Sequence, residues 1–223
     1  MNSKLLAALP LLVATAGAHA LTLDFGNGPD APTICSSTGD GLGALVTCAN
    51  YAYLSQGYGD IAGLVDVNFS APRVPGVSLH WWDTSYNTLY GVAWADGGDG
   101  DSQARIEILA LQPGDSVLLS GFDLGAYAST TRNTTVNIYA VGGGTPLYTY
   151  TGAVGDGAVA ATSFVVNVSA PGGLWIEWQD SAYNVGIDNI QYSVSSVPEP
   201  AAAGLMLAGL LGMAAAAASR RRG

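Results

Sequence analysis

Two glutamates, one histidine and a dense aromatic run are the residues from which chemistry could be built. Glu107 and Glu177 each sit in an apolar, strand-like run, and glycoside hydrolysis needs two carboxyls flanking the scissile bond. No short acidic cluster accompanies either of them. The chain holds no Gly-x-Ser-x-Gly elbow, no His-Glu-x-x-His helix motif and no Walker loop. Past residue 20 the sole histidine is His80, so a Ser-His-Asp triad would have to use it, and it is too little for a histidine metal cluster. No catalytic residue is assigned, and the chain is expected not to be an enzyme. A cryptic glycoside hydrolase stands as the third reading.

Binding chemistry has more to work with. Trp81, Trp82, Tyr86, Tyr90 and Trp94 crowd the stretch His80 to Trp94, with Asp83 and Asn87 among them. Sugar-binding faces combine flat aromatic rings with a few polar groups that fix orientation. Trp81, Trp82, Tyr86 and Trp94 are therefore the candidate carbohydrate-binding rings. Adjacent Trp81 and Trp82 in a strand point to opposite faces, so at most one faces the core. Trp175 and Trp178 also have opposite parity, and the same argument applies to them. The competing reading is core tryptophans with edge packing. A further candidate, Asp96-Gly97-Gly98-Asp99-Gly100-Asp101, spaces carboxylates with glycines but lacks the twelve-residue calcium-loop pattern and its terminal Glu. It reads as a solvated acidic hairpin loop.

The elements that must position these residues are strands. Between the two ends no amphipathic helix is evident, and the recurring period is two. Val65, Val67 and Phe69 alternate with Asp66 and Asn68. Similar runs are Leu21 to Leu23, Val77 to Trp82, Leu89 to Trp94, the run opened by Ile106, Ser116 to Leu119 and Val136 to Ala140. Leu147 to Thr151, Phe164 to Val168, Leu174 to Trp178 and Ile187 to Val194 complete the set. About ten to twelve short strands with frequent turn signals predict an all-β sandwich. Ser193 to Ser196 reads as a linker, and residues 21–196 as one domain.

The two ends are targeting segments. Lys4, the apolar stretch Leu5 to Ala16 and Ala18-His19-Ala20 make residues 1–20 a secretory signal peptide, for removal by signal peptidase. At the other end, Val197-Pro198-Glu199-Pro200 precedes 18 uncharged residues, Ala201 to Ala218, and then Arg220-Arg221-Arg222. As a helix the run spans about 27 Å, close to a hydrocarbon core of roughly 30 Å. The arginines stay cytoplasmic, and everything before the run is exported. Export also favours a disulfide between the two cysteines, Cys35 and Cys48. From Asp24 to Glu199 only Arg73, Arg105 and Arg132 stand against 17 acidic residues, a net charge of −14. That surface makes nucleic acid an improbable partner.

The tail, residues 197–223, resembles the PEP-CTERM sorting signal of Gram-negative bacteria through Pro198, Glu199 and Pro200, the small-residue run, and Arg220, Arg221 and Arg222. The resemblance implies an exosortase partner, transient anchoring in the inner membrane and release to the cell surface or medium. It also implies a role in an exopolysaccharide-rich biofilm matrix. The middle is similar to jelly-roll, galactose-binding-like modules in Ile187-Asp188-Asn189-Ile190. Gly121-Phe122-Asp123-Leu124-Gly125 resembles a segment common in exported PEP-CTERM proteins. Such modules often hold a structural Ca²⁺ between first and last strands, which implies Asp188 and Asp24 as ligands. The alternative for Asp188 is a hydrogen-bond acceptor for a turn. A jelly-roll-like β-sandwich, non-enzymatic and displayed outside the cell, is the expected whole, with a lectin-like carbohydrate-binding module as alternative.

Overall fold

A computed structural model of the chain describes residues 19–26, 28, 30–98, 100–157, 159–179, 181–196 and 209–210. The signal peptide before His19, the Pro-Glu-Pro site, the arginine cluster and the expected spanning run, apart from residues 209–210, lie outside the described residues. Among the described residues no helix is long and apolar enough to cross a membrane.

Among the described residues the sandwich is all-β, built from fourteen strands. In chain order they are β1 (His19–Leu23), β2 (Cys35–Ser36), β3 (Leu45–Val46), β4 (Tyr53–Leu54), β5 (Val65–Ser70), β6 (His80–Trp82) and β7 (Val92–Trp94). There follow β8 (Gln103–Ala110), β9 (Asp115–Ala126), β10 (Arg132–Ala140), β11 (Tyr148–Val154), β12 (Thr162–Pro171), β13 (Gly173–Gln179) and β14 (Val185–Ser196). One sheet runs β12-β9-β14-β7-β6-β4-β2-β3, with β1 also paired to β14; the other runs β11-β10-β13-β8-β5. Every pairing of these strands is antiparallel.

Alternation decides which side chains meet. Val65, Val67 and Phe69, Ala104, Ile106 and Ile108, and Leu174, Ile176 and Trp178 are all buried on the inner face of the second sheet. Their odd-even neighbours, among them Arg105, Glu107 and Trp175, stand on its outer face. Trp178 also links the layers, donating from Nε1 to the Val185 carbonyl at 2.8 Å where β14 begins.

Two expectations about elements are corrected. Ser116 to Leu119 is no separate short strand: it runs on through Gly121-Phe122-Asp123-Leu124-Gly125 as β9. Ser193 to Ser196 is no linker, because those residues pair in order with Leu118, Val117, Ser116 and Asp115. Two-residue strands β2, β3 and β4 show no alternation that could reveal them; pairing and a disulfide hold them. Cys35 and Cys48 are bonded, with Cα atoms 5.1 Å apart. Closing that short loop stabilises the fold mainly by restricting the unfolded chain. Cys35→Ala with Cys48→Ala is expected to lower stability by about 2 to 3 kcal/mol, read from urea unfolding with the slope fitted for each protein, since the freed unfolded chain exposes more surface and steepens it.

Candidate binding site

The aromatic run is organised by β6, β7 and the loop between them. Trp81 points inward and is 4% exposed, donating from Nε1 to the Phe25 carbonyl at 2.8 Å. Trp82 points the other way, as alternation requires, and is half-buried. Trp94 stacks on His80 with centroids 4.6 Å apart, and Tyr51, Tyr183 and Trp82 meet it edge-on. Tyr127 closes on Trp82 and Tyr86. The result is a second small core on the outer face of the first sheet.

That packing corrects the carbohydrate assignment. Trp81, 4% exposed, belongs to the main core; Tyr86 is 3% and Trp94 2% exposed, and neither of these two presents a face to a sugar. Loops carrying Tyr51, Tyr127 and Tyr183 cover them, and these covering residues come from distant parts of the sequence. The cavity left among the rings is only about 40 Å³. A small-ligand pocket needs roughly 300 Å³ or more.

The loop 83–91 is held in place by its own atoms. Gly91 N–H donates to the Asp83 carbonyl at 2.7 Å, and Leu89 N–H to that of Tyr86. Asn87 acts as a staple. Its Nδ2 donates to the carbonyls of Thr130 and Gly157, and its Oδ1 accepts from Ala126 N–H at 2.6 Å. Gly125 and Gly186 are opposite each other in register on β9 and β14. Their missing side chains let the loop lie directly on the sheet.

Tyr90 rises from this fixed loop, 54% exposed. Two concavities adjoin it. One, of about 380 Å³, is lined by Asn50, Trp81, Asp83, Thr84 and Gly91 among others. The second, of about 350 Å³, is lined by Thr84, Ser85, Asn87, Thr88 and Leu89 with Val159. Thr84 and Tyr90 line both. Tyr90 stood in the aromatic run, but its exposure follows from loop geometry that a strand pattern does not carry.

The remaining candidates are tied to structure. His80 Nδ1 donates to the Tyr51 carbonyl and Nε2 faces Asp96 Oδ2, each at 2.8 Å, so neither nitrogen is left to relay a proton. Asp101 accepts from Arg73 at 2.8 Å, so Asp96 and Asp101 of the acidic run each have a local partner. Glu107 and Glu177 share Arg105, at 3.7 and 2.8 Å, with its guanidinium over the Trp175 ring. Neither glutamate lines the concavities beside Tyr90.

Asp188 sits at a bulge in β14, where the register with β9 shifts and Asn189 takes a φ of 53°. Its Oδ1 accepts from Phe25 N–H at 2.9 Å, and it is 2% exposed. Asp24 turns back on its own loop, accepting from Gly26 N–H at 2.8 Å. Tyr58 donates to the Asp24 carbonyl. Burial pushes the Asp188 carboxyl up to about 7. N–H bonds from Phe25 and Asn189 oppose the rise, and the charges of Asp24 and Asp123 add to it. Among the described residues no three His, Cys, Asp or Glu side chains converge to hold a metal. Asp188 ties the exit of β1 to β14, Asp24 caps its own turn, and by themselves the two do not form the six to eight oxygens that Ca²⁺ takes.

No curated protein sequence matches the chain. Some solved structures bear a distant likeness to it. An exo-β-1,3-galactanase from Phanerochaete chrysosporium, with β-1,3-galactotriose, has 16% identity and a TM-score of 0.33 over 60% of this chain and 29% of that one. A Podospora anserina GH26-CBM35 β-(1,4)-mannanase gives 15%, 0.34, 62% and 29% in the same order. The enzymatically active domain of bacteriophage CBA120 tailspike protein 4 gives 16%, 0.29, 62% and 20%. The chain spans under a third of each, and at these scores the likenesses carry no argument about activity. The tail is different in kind: residues 196–222 match the PEP-CTERM protein-sorting motif, which marks an exported, exosortase-sorted chain of a Gram-negative bacterium.

Proposed function

We propose that the chain is a non-enzymatic surface or matrix protein, exported across the inner membrane, anchored transiently by its tail and released by an exosortase into an exopolysaccharide-rich biofilm. The observation that carries this reading is the sorting motif at residues 196–222, which begins on the last residue of β14. Ser196, the first residue of that motif, is paired to Asp115 within the sheet. β1 pairs with the same end of β14, His19 against Val194, so the N-terminal side also leads to this membrane-facing pole. The loop 83–91 lies at the other pole, where Tyr86 bridges to Tyr127 and Val185 pairs with Ala126. Twelve residues of β14 separate the poles by about 36 Å at roughly 3.3 Å per residue. An anchored chain therefore presents Tyr90 away from the membrane.

Processing is the test. The mature protein is expected to begin at Leu21, leaving Leu21–Leu23 paired to β14, and to lack the tail beyond the Pro-Glu-Pro region. Intact-mass measurement of the released protein checks both ends. A released chain ending at Gly223 would sink the sorting claim.

A further inference from the structure

We propose that the groove astride Tyr90 binds an uncharged polysaccharide chain, with sugar rings seated in the two concavities that adjoin the tyrosine. This gives the matrix association a site, and it rests on the surface-protein reading only for the choice of partner. Three observations lead there.

The first is a ring exposed on a rigid support. Tyr90 is 54% exposed, yet the loop that carries it is closed on itself by Gly91 N–H to the Asp83 carbonyl and tied to the rest of the sandwich by Asn87, through Ala126, Thr130 and Gly157. A loop already held in place loses little backbone freedom when a ligand stacks on its ring, so more of the contact energy appears as affinity. The second is size and continuity. Concavities of about 380 and 350 Å³ each fall within the range of small-ligand sites, and they meet at Thr84 and Tyr90. A single sugar fills one of them, whereas a chain crosses the tyrosine and fills both. The third is the chemistry of the walls. Asn50, Asp83 and Thr84 on one side, and Ser85 and Thr88 on the other, offer amide, carboxylate and hydroxyl groups matched to sugar hydroxyls. No Lys, Arg or His lines either concavity among the described residues. With a net charge of −14 from Asp24 to Glu199, the groove repels uronates and sulfated or phosphorylated chains.

The test uses the exported protein, purified from producing cells, in native gels cast with polysaccharide. The probes are the cells' own neutral exopolysaccharide fraction, β-1,3-glucan, β-1,4-mannan and β-galactan, with alginate and polygalacturonate as acidic counterparts. Retardation by at least one uncharged polymer is expected, and none by the acidic ones. Tyr90→Ala is expected to weaken that binding at least tenfold, and Tyr90→Phe, which keeps the ring, less than threefold. An unchanged melting temperature in both variants shows that the loop is intact. Hexasaccharides of the retarding polymer are expected to compete at least tenfold better than the monosaccharide. The proposal is overturned by no retardation in any uncharged polymer, by full binding in Tyr90→Ala, or by equal binding of the acidic polymers. Retardation by an unrelated peptide library in place of sugars would make the groove a protein site. A protein that is processed at both ends and binds no polysaccharide loses the groove and keeps the sorting assignment; one that binds but is never processed does the reverse.

Discussion

Asp188→Asn is expected to raise stability at pH 8 by up to about 4 kcal/mol and to leave it nearly unchanged at pH 3. The carboxyl is 2% exposed and its pKa rises from 3.8 to about 7, mainly through burial. A carboxyl whose folded pKa is raised opposes folding when ionised. Below the unfolded value near 3.8 both states hold the proton and nothing is lost. As pH climbs from about 4 to about 7 the unfolded chain releases the proton and the folded one retains it, so stability falls. Above about 7 the penalty is complete, roughly 4 kcal/mol for a gap of that width. Asparagine has the shape of the protonated acid, and its carbonyl oxygen can still accept from Phe25 N–H. The mutant therefore keeps the contact and loses the titration.

Melting curves of both proteins from pH 3 to 9, in chelator, check this. The expected gap at pH 8 is on the order of 10 °C for a domain of this length, closing toward acid. Repulsion among the other acidic groups changes with pH in both proteins and cancels in the difference. Parallel curves across the whole range would show that Asp188 does not titrate as its burial demands. Calcium separates a further use of the same oxygen atoms. A calcium-specific rise in the wild type, absent from the mutant and not reproduced by magnesium, would assign the carboxylate to a metal rather than to the backbone alone.

Much of the architecture was legible because it obeys a period of two. The alternation in Val65 to Phe69 and in Leu174 to Trp178 identifies strands and their inner faces without reference to anything distant. The opposite orientations of Trp81 and Trp82 are legible for the same reason. What alternation cannot report is which outer face another part of the chain covers. Trp94 and Tyr86 look like ideal sugar platforms until Tyr51, Tyr127 and Tyr183 are laid over them, and those residues lie far apart in the sequence. Conversely, Tyr90 is exposed because Gly91, with a φ of 78°, turns the chain where a Cβ would meet the Phe25 carbonyl at 2.5 Å. Asn87 was marked as a polar group for a ligand. Its side chain is instead spent on three backbone partners, which is why the loop is rigid enough to present Tyr90 at all.

The glycines of the Gly121 to Gly125 segment acquire a meaning from the same packing, and it yields the second large effect. Gly125→Ala is expected to cost about 3 kcal/mol, the upper end of what overpacking usually costs, and to abolish polysaccharide retardation. A Cβ at position 125 would lie 2.3 Å from the Tyr86 carbonyl oxygen and 2.9 Å from the Tyr86 carbonyl carbon and Cβ. No rotamer relieves that clash, because the obstacle is mostly backbone. Either β9 bends away from β14, or the loop lifts off the sheet. The strand is paired along twelve residues and the loop is held by a few bonds, so the loop moves. Lifting Tyr86 pulls Asn87 from Ala126 N–H and frees the segment that carries Tyr90. Gly121→Ala is the matched control, since its Cβ would meet the Phe164 carbonyl at 2.3 Å, on β12 and away from the loop. Both variants should melt roughly 6 to 12 °C below the wild type. Only Gly125→Ala should speed amide exchange across residues 83–91 and lose the retardation. Equal exchange in that loop for the two variants would mean that the sheet, and not the loop, absorbs the strain at Gly125.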